Sequence, residues 1–281
     1  MPPSLDVAFV TRAPTEAEEL RLALVLSTFC DGSGMNSAGC LPGWRDVERT
    51  VAAVFNGRGS ENKDVFDVAV SPNGVAYDVG ISVKCKNLPS STAMTGIETT
   101  RRVYMELANS PAKFWKALGD AGLTEVDFKG QREPEKFGGS VLDTVYSWHV
   151  AAATAHVKNT GRALDLEHSI YLTLSNGTRS KGTENVYQWH SFPLRFADDI
   201  HWEFRSPKSL RGLDPKHPSE VLFDWYPFSG GQLKYYPRAS DAPFRSKQFT
   251  LQRPPAISLF EKAATYFPSE WAKAQALRDD E

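Results

Sequence analysis

The segment around Asn73-Gly74 constrains the fold of this chain more than any other part of the sequence. Two apolar runs, Phe66 to Val70 and Val75 to Lys84, flank the dipeptide. Asn-Gly between alternating apolar runs is a strong hairpin signal, because both central residues of a type I′ turn need a positive φ. The sequence therefore predicts an antiparallel β-hairpin here.

The register of this hairpin decides which side chains share a face. If the dipeptide is central, Asp67 lies opposite Gly80, and a shift of one residue puts it opposite Asp78 instead. Side chains two residues apart on a strand point to the same face. In both registers one face therefore carries four polar side chains, which are Asp67, Asp78, Ser82 and Lys84.

Ionisable side chains on a strand face beside a core are costly unless they pair or bind something. Carboxylates, a hydroxyl and a lysine are what a divalent-metal phosphodiesterase needs. Carboxylates hold Mg²⁺, and a lysine orients the attacking water or stabilises charge on the phosphate. The alternative is that Lys84 and Lys86 are edge-strand lysines that prevent aggregation, with Asp78 as their ion-pair partner.

These residues resemble the PD-(D/E)xK nuclease superfamily, which includes most type II restriction endonucleases. The resemblance covers residues 44–105. It consists, in chain order, of Asp67, the β-turn at Asn73-Gly74 and Ser82, which stands two places before Lys84. The tripeptide Ser82-Val83-Lys84 stands where the family has acid-x-Lys, and Phe66 replaces the Pro. One branch of restriction enzymes has this serine and takes the missing carboxylate from a glutamate on the following helix.

The resemblance implies a site for one or two Mg²⁺ ions. Asp67 is then a metal ligand, and Glu98 or Asp78 supplies the second carboxylate. Lys84 positions or activates the water, and Ser82 keeps the strand face uncrowded.

The sequence leaves the source of the second carboxylate open. Glu98 follows the lysine at the spacing of that branch, on a helix predicted over residues 92–104. Asp67 and Ser82 are closer together in the sequence than the corresponding residues of that branch. Asp78 or Glu61 is therefore an alternative source of the second carboxylate. A helix before the hairpin often offers another glutamate in this superfamily, which makes Glu48 a further candidate. Otherwise Glu48 is a solvated helix charge.

Composition and charge limit the function classes. The net charge of −2 argues against a generic nucleic-acid coat but permits an enzyme whose basic residues cluster in one cleft. No apolar run approaches the length of a membrane span, and the first residues lack the features of a signal peptide. The cysteines form no CxxC pair, so we expect a cytoplasmic protein without structural zinc.

Periodicity predicts helices in the first half of the chain and strands in the second. The predicted helices begin at the capping box of Thr15 and Glu18 and then cover residues 44–55, 111–122, 140–159 and 256–276. Residues 129–139 are predicted to be a polar loop. The predicted strands cover residues 169–174, 186–190, 200–204, 221–226 and 233–236.

We expect a single α/β endonuclease domain over residues 1–281, with a restriction-endonuclease-like mixed central β-sheet flanked by helices. Its catalytic core covers residues 44–175, its β-rich DNA-recognition region 168–253 and its C-terminal helix 256–276. Sequence choice needs Arg, Lys, Asn or Gln side chains at base edges. The candidate DNA contacts are Arg179, Lys181, Arg205, Lys208, Arg211, Arg238, Arg245 and Lys247. The alternative is that these side chains are simply solvated.

The expected function is Mg²⁺-dependent, sequence-specific cleavage of double-stranded DNA by a type II restriction enzyme, leaving 5′-phosphates. Palindromic target sites make a two-fold homodimer the natural assembly, with a tetramer of paired dimers left open. The alternatives are a non-catalytic DNA-binding protein on a nuclease fold, a repair or modification-dependent nuclease, and an aromatic-rich β module that binds carbohydrate.

Overall fold

The computed structural model describes residues 5–30, 42–59, 65–87, 102–178, 185–255 and 257–278. Within these ranges the chain forms two β-sheets and seven α-helices. The helices are α1 (Glu16–Ser27), α2 (Trp44–Val54), α3 (Pro111–Asp120), α4 (Glu125–Lys129), α5 (Pro134–Thr160), α6 (Leu259–Tyr266) and α7 (Pro268–Arg278). The strands are β1 (Arg58–Gly59), β2 (Val68–Val70), β3 (Tyr77–Asn87), β4 (Met105–Asn109), β5 (Ala163–Thr178), β6 (Asn185–Pro193), β7 (His201–Ser206), β8 (Ser209–Asp214), β9 (His217–Tyr226) and β10 (Gln232–Tyr235).

The first sheet is mixed and has the strand order β1-β2-β3-β5-β6. Strands β3 and β5 run parallel, and the other neighbours are antiparallel. Helices α1 and α2 pack on one face, where Leu22 and Val51 join Ile81 and Leu172 in a buried cluster. Helix α5 covers the other face, where the His149 ring contacts Tyr171 of β5. A mixed sheet with helices on both faces confirms the predicted α/β class.

The second sheet is antiparallel throughout, with the strand order β4-β10-β9-β8-β7. It packs on α3 and α5 through an aromatic core that includes Phe114, Phe137, Phe223 and Trp225. Strand β4 contacts β3 of the first sheet and leads directly into α3. The end of β3, the edge of the second sheet and the start of α3 therefore meet in one place.

Local signals fix several helix starts. Thr15 accepts a hydrogen bond from the Glu18 backbone while Glu18 caps the Thr15 backbone, as the sequence predicts. Proline stands in the first turn of both α3 and α5, where its missing N–H costs nothing. Gly161 ends α5 with a φ of 72°. The predictions of α1, α2 and α3 are confirmed apart from small shifts at their ends.

The predicted loop over residues 129–139 is wrong. Helix α4 occupies Glu125–Lys129, and α5 already begins at Pro134. Gly138, which favoured a loop, lies buried in α5 against the Trp202 ring. A Cβ at Gly138 would approach that ring to 2.0 Å. The glycine thus permits close helix–sheet packing rather than a turn.

The hairpin forms, but both predicted registers are wrong. Ala69 of β2 pairs with Gly80 of β3, which puts Asp67 opposite Ser82. The sequence placed Asp67 opposite Gly80 or Asp78. Because the new pairing differs from these by an even number of residues, the side chains keep their predicted face.

The loop of the hairpin covers residues 71–76 and is longer than a two-residue turn. Only Gly74 in it has a positive φ, of 77°, so the type I′ geometry is not adopted. Arg162 donates hydrogen bonds to the carbonyls of Val75 and Tyr77, at 3.1 and 3.0 Å. A distant side chain therefore satisfies loop groups that a tight turn would have paired locally.

Two other predictions in the middle of the chain need correction. Residues 92–101 of the helix predicted over 92–104 lie outside the described part of the chain, and residues 102–104 are not helical. Arg102 there forms a β-bridge with Arg238 and an ion pair with Asp214, which tie it to the second sheet. The segment from Arg205 to Gly212 carries three of the candidate DNA contacts and is polar enough to suggest a loop, but it forms the β7–β8 hairpin.

The helix predicted over residues 256–276 is divided into α6 and α7, with the break before Pro268. The break agrees with the interruption expected at this proline. In the described ranges, no helix has both the length and the apolar character needed to cross a membrane.

Candidate active site

A cavity of about 240 Å³ opens where the first sheet meets β4, α3 and α5. Asp67, Ser82 and Lys84 line its side toward the hairpin. The structure thus brings three of the predicted site residues together. The other polar and aromatic residues around the cavity are Asn109, Ser110, Lys113, Trp148, His149 and Tyr171.

Asp67 is held in a defined position. Its backbone N–H donates to the Ile81 carbonyl at 3.1 Å, and its Oδ2 accepts from the Val83 N–H at 2.7 Å. The Ser82 hydroxyl adds a side-chain hydrogen bond. Burial nevertheless raises the pKa of Asp67, although Lys84 and these hydrogen bonds oppose the change. Ser82 therefore supports the carboxylate as well as leaving space beside it.

Glu48 of α2 reaches Asp67 from the other side of the hairpin end. Burial raises the pKa of Glu48 to about 7, and repulsion from Asp67 adds to the change. Lys84 and Arg45 oppose it. Glu48 therefore keeps a proton up to about neutral pH, close to the Asp67 carboxylate. The sequence had offered Glu48 only as a secondary candidate.

The Glu48–Asp67 pair fits a divalent cation. Burial is the largest cause of the raised pKa of both carboxyl groups, and Lys84 opposes it only in part. Mg²⁺ prefers carboxylate oxygens as ligands. An ion held by Glu48 and Asp67 would take the place of the proton on Glu48.

Asp78 lies apart from this group, although it is on the same face of the hairpin. Its side chain is completely buried and accepts from Ser71 at 2.7 Å, Arg58 at 2.8 Å and Arg162 at 2.6 Å. His156 Nε2 lies 2.8 Å from its Oδ2. Burial alone would raise the pKa of Asp78, but these partners together hold it below its ordinary value.

The strand separates Asp78 from the cavity. Ser82 is four positions after Asp78 along β3, a distance of about 13 Å at the usual strand rise. Two arginines, a histidine and a serine already engage the carboxylate oxygens of Asp78. We therefore no longer assign Asp78 as a metal ligand, although the sequence made it a candidate. Glu98 and Glu61, the other candidates, lie outside the described residues.

The predicted DNA contacts are dispersed. Arg179 and Lys181 lie outside the described residues. Arg238 is ion-paired with Glu220, Lys247 with Glu16 and Arg211 with Glu203. Arg205 and Lys208 are exposed on the β7–β8 hairpin, and Arg245 is exposed beside β6. Strand β7 is four strands from β4, or about 19 Å at the usual strand spacing.

Sequence reasoning missed Lys113, a basic residue of α3 that lines the cavity. Its Nζ lies 5.6 Å from the centre of the Trp148 ring. Two further lysines meet at the Tyr104 ring, with Lys86 Nζ at 4.8 Å and Lys234 Nζ at 5.9 Å from its centre. Lys113 is far from the hairpin in the chain, so no local pattern could have placed it beside Asp67 and Lys84.

His149 also lines the cavity, beside Lys84. The sequence indicated a packing or surface histidine, and the structure shows a buried one whose Nε2 lies 3.2 Å from the Tyr171 hydroxyl. Burial, and then the Lys84 charge, lower the pKa of His149 to about 4. The ring is therefore neutral at physiological pH. His156, the other histidine of α5, is an ion-pair partner of Asp78.

A second group could in principle hold a metal ion. Ligand atoms of Asp214, His217 and Asp241 all lie within 4.8 Å of one another. However, Asp214 already forms an ion pair with Arg102 at 2.7 Å and accepts from the Lys216 N–H at 2.9 Å. Its charge is compensated, unlike that of the Glu48–Asp67 pair, so we assign no ion there.

Comparisons with known proteins supply no family. No protein-family model matches the chain, and none of the curated proteins or solved structures matches it either. What can be concluded about function therefore depends on the chemistry of the cavity.

Proposed function

We propose that this chain is a Mg²⁺-dependent endonuclease that hydrolyses phosphodiester bonds in double-stranded DNA, in the manner of type II restriction enzymes. The observation that carries the proposal is the position of Asp67, Ser82 and Lys84 at one cavity, with the Glu48 carboxyl group close enough to Asp67 to feel its charge. Two acids and a lysine around a space for a phosphate are the groups that metal-dependent phosphodiester hydrolysis requires.

Each of these side chains has a distinct role. Glu48 and Asp67 hold the ion, and the Val83 N–H and the Ser82 hydroxyl keep Asp67 in place. Bound Mg²⁺ supplies a Lewis acid that stabilises charge on the phosphate and lowers the pKa of a water molecule. The Lys84 ammonium donates hydrogen bonds to the attacking water or to a phosphate oxygen.

The reaction is a hydrolysis. A bond forms between the water oxygen and phosphorus, and the bond from phosphorus to O3′ breaks. The departing O3′ gains a proton, and the other strand end keeps the phosphate as a 5′-phosphate. His149 is neutral and hydrogen-bonded to Tyr171, so we give it a place in shaping the cavity wall rather than in proton transfer.

The lysines and aromatic rings around the cavity suit a polyanionic substrate. Lys113, Lys86 and Lys234 supply positive charge for phosphates on either side of the cleaved bond. Base recognition needs side chains that enter a groove, and the exposed Arg205 and Lys208 on the β7–β8 hairpin remain our candidates.

Plasmid cleavage tests this proposal. Purified full-length protein is incubated with mixed plasmid DNA and Mg²⁺, with EDTA as the metal-free control. We expect discrete fragments that disappear on Lys84→Ala. The matched control is Lys116→Ala, since Lys116 is 77% exposed on α3 and paired with Asp120. It should cut as the wild type does.

Other outcomes distinguish the alternatives. Binding to DNA without cleavage would identify a non-catalytic DNA-binding protein. Nicks or a smear would identify a repair-type nuclease. No DNA affinity even at low salt, where phosphate contacts are strongest, would overturn both DNA proposals.

A further inference from the structure

Helices α6 and α7 leave a large apolar surface uncovered by the described part of the chain. No residue of α6 is buried. Leu259 and Phe260 are each 72% exposed, Tyr266 69% and Phe267 59%. Apolar side chains scattered singly are normal on a protein surface. A contiguous exposed apolar patch of this kind marks an interaction site.

The apolar side chains of α6 lie on one side of the helix. Leu259, Phe260 and Ala263, followed by Tyr266 and Phe267, have the spacing of an apolar stripe with a period of 3.6 residues. Glu261, Lys262 and Thr265 occupy the opposite side. Such a stripe normally faces a core, whereas here it faces away from the chain.

Local sequence signals specify this helical hairpin even though it has little packing of its own. Ser258 and Glu261 form a capping box at the start of α6. The Phe260 ring lies 5.6 Å from the Trp271 ring of α7, which joins the two helices. Short helices are marginal without tertiary packing, so a partner surface is needed to stabilise the pair.

We propose that α6 and α7 of one chain pack against the same helices of a second copy, forming a two-fold helical bundle. The exposed parts of Ile257, Leu259, Phe260, Tyr266 and Phe267 amount to roughly 600 Å² per chain, from the typical areas of such side chains. Two chains together then bury about 1,200 Å², the lower limit for a specific interface.

Charge favours a like partner. Among the described side chains of α6 and α7, the two acids Glu261 and Glu270 balance the two lysines Lys262 and Lys273. Such a nearly balanced pattern complements its own two-fold copy, where acids of one chain meet bases of the other. A helix that binds anionic lipid carries a strongly basic polar face, which this hairpin lacks. The pairing is independent of the nuclease proposal, since it needs neither DNA nor metal.

Sedimentation velocity of the full-length protein tests the pairing. Wild-type protein at micromolar concentrations should sediment as a species of twice the 31.2 kDa chain mass. The double variant Phe260→Glu/Phe267→Glu should sediment as a monomer while its two β-sheets keep their circular-dichroism signal. Leu259→Glu, which alters no aromatic contact of the hairpin, should raise the dimer dissociation constant at least about tenfold, the effect of losing one buried leucine.

The matched control is Val126→Glu, because Val126 is 75% exposed on α4 and outside the proposed interface. It should remain a dimer. Monomeric wild type at all concentrations would overturn the proposal, and so would a double variant that stays dimeric. Wild-type binding to anionic vesicles without self-association would assign the surface to a membrane instead.

Discussion

Asp67 and Asp78 lie on the same face of one hairpin, yet their surroundings are opposite. Asp78 is enclosed by two arginines, a histidine and a serine, and its pKa is lowered. Asp67 is close to another carboxyl group, Glu48, and burial raises its pKa because Lys84 and its hydrogen bonds compensate the burial only in part. A buried acid with several charged and polar partners stabilises the fold, whereas an acid whose burial is only partly compensated gains from a proton or a bound cation. The difference separates a structural acid from a functional one.

The largest expected effect is on cleavage by Asp67→Asn. An asparagine Oδ1 can still accept from the Val83 N–H, so the fold should persist. Loss of a carboxylate at the metal should lower the cleavage rate by about 10²–10³-fold. Plasmid cleavage measures the rate, and circular dichroism checks the fold. An unchanged rate would remove Asp67 from the site.

The next effect is on stability, in Asp78→Asn. Arg162 and His156 then lose a buried charged partner, and we expect a loss of about 3 kcal/mol in the free energy of unfolding. Urea denaturation measures it. Asp143→Asn on the exposed side of α5 is the control and should change stability little. If Asp78→Asn is as stable as the wild type, the ion pairs of Asp78 are dispensable and its contrast with Asp67 fails.

A smaller effect of opposite sign is expected for Glu48→Gln. The pKa of Glu48 is raised to about 7, so the folded state binds more protons than the unfolded state between about pH 4.5 and pH 7. Its contribution to stability is present below this window and is lost as the pH rises through it. Glu48 is half-exposed, which reduces the penalty to about 1 kcal/mol.

Glu48→Gln should therefore be about 1 kcal/mol more stable than wild type at pH 8 in EDTA, and its pH dependence over this window should be flatter. Urea denaturation at several pH values measures both. Glu125→Gln on α4 serves as the control, since this exposed acid is paired with Lys129. A destabilised Glu48→Gln variant would show that the Glu48 carboxylate is structural.

The smallest effect concerns DNA affinity. Lys113→Ala should weaken DNA binding several-fold. It should also reduce the slope of log affinity against log salt concentration by the amount expected for about one phosphate contact. Lys116→Ala, one turn further along α3, should leave both unchanged. Equal effects of the two variants would make the cavity-side position of Lys113 irrelevant.

Structural features with local causes could be predicted from the sequence. The capping box at Thr15, the alternation around Asn73-Gly74 and the shared face of Asp67 and Lys84 all follow from neighbouring residues. The hairpin register does not, because Arg162 satisfies the loop from a distance.

The composition of the site depends on tertiary structure in the same way. Glu48 reaches Asp67 only because α2 packs on the first sheet, and Asp78 is engaged only because α5 and its following residues return to the hairpin. The sequence showed which residue types were available, but not which acid would find a partner. Lys113 lines the cavity because α3 follows directly on β4 at this place.

Proton release on metal binding tests the central claim most directly. Calorimetric titration of Mg²⁺ at pH 6.5, in buffers with different ionisation enthalpies, counts the protons that leave when the ion binds. We predict saturable binding with release of up to about one proton, because the ion displaces the proton that Glu48 holds. Glu48→Gln should bind more weakly and release none. Binding without proton release, or binding that Glu48→Gln leaves intact, would contradict the account.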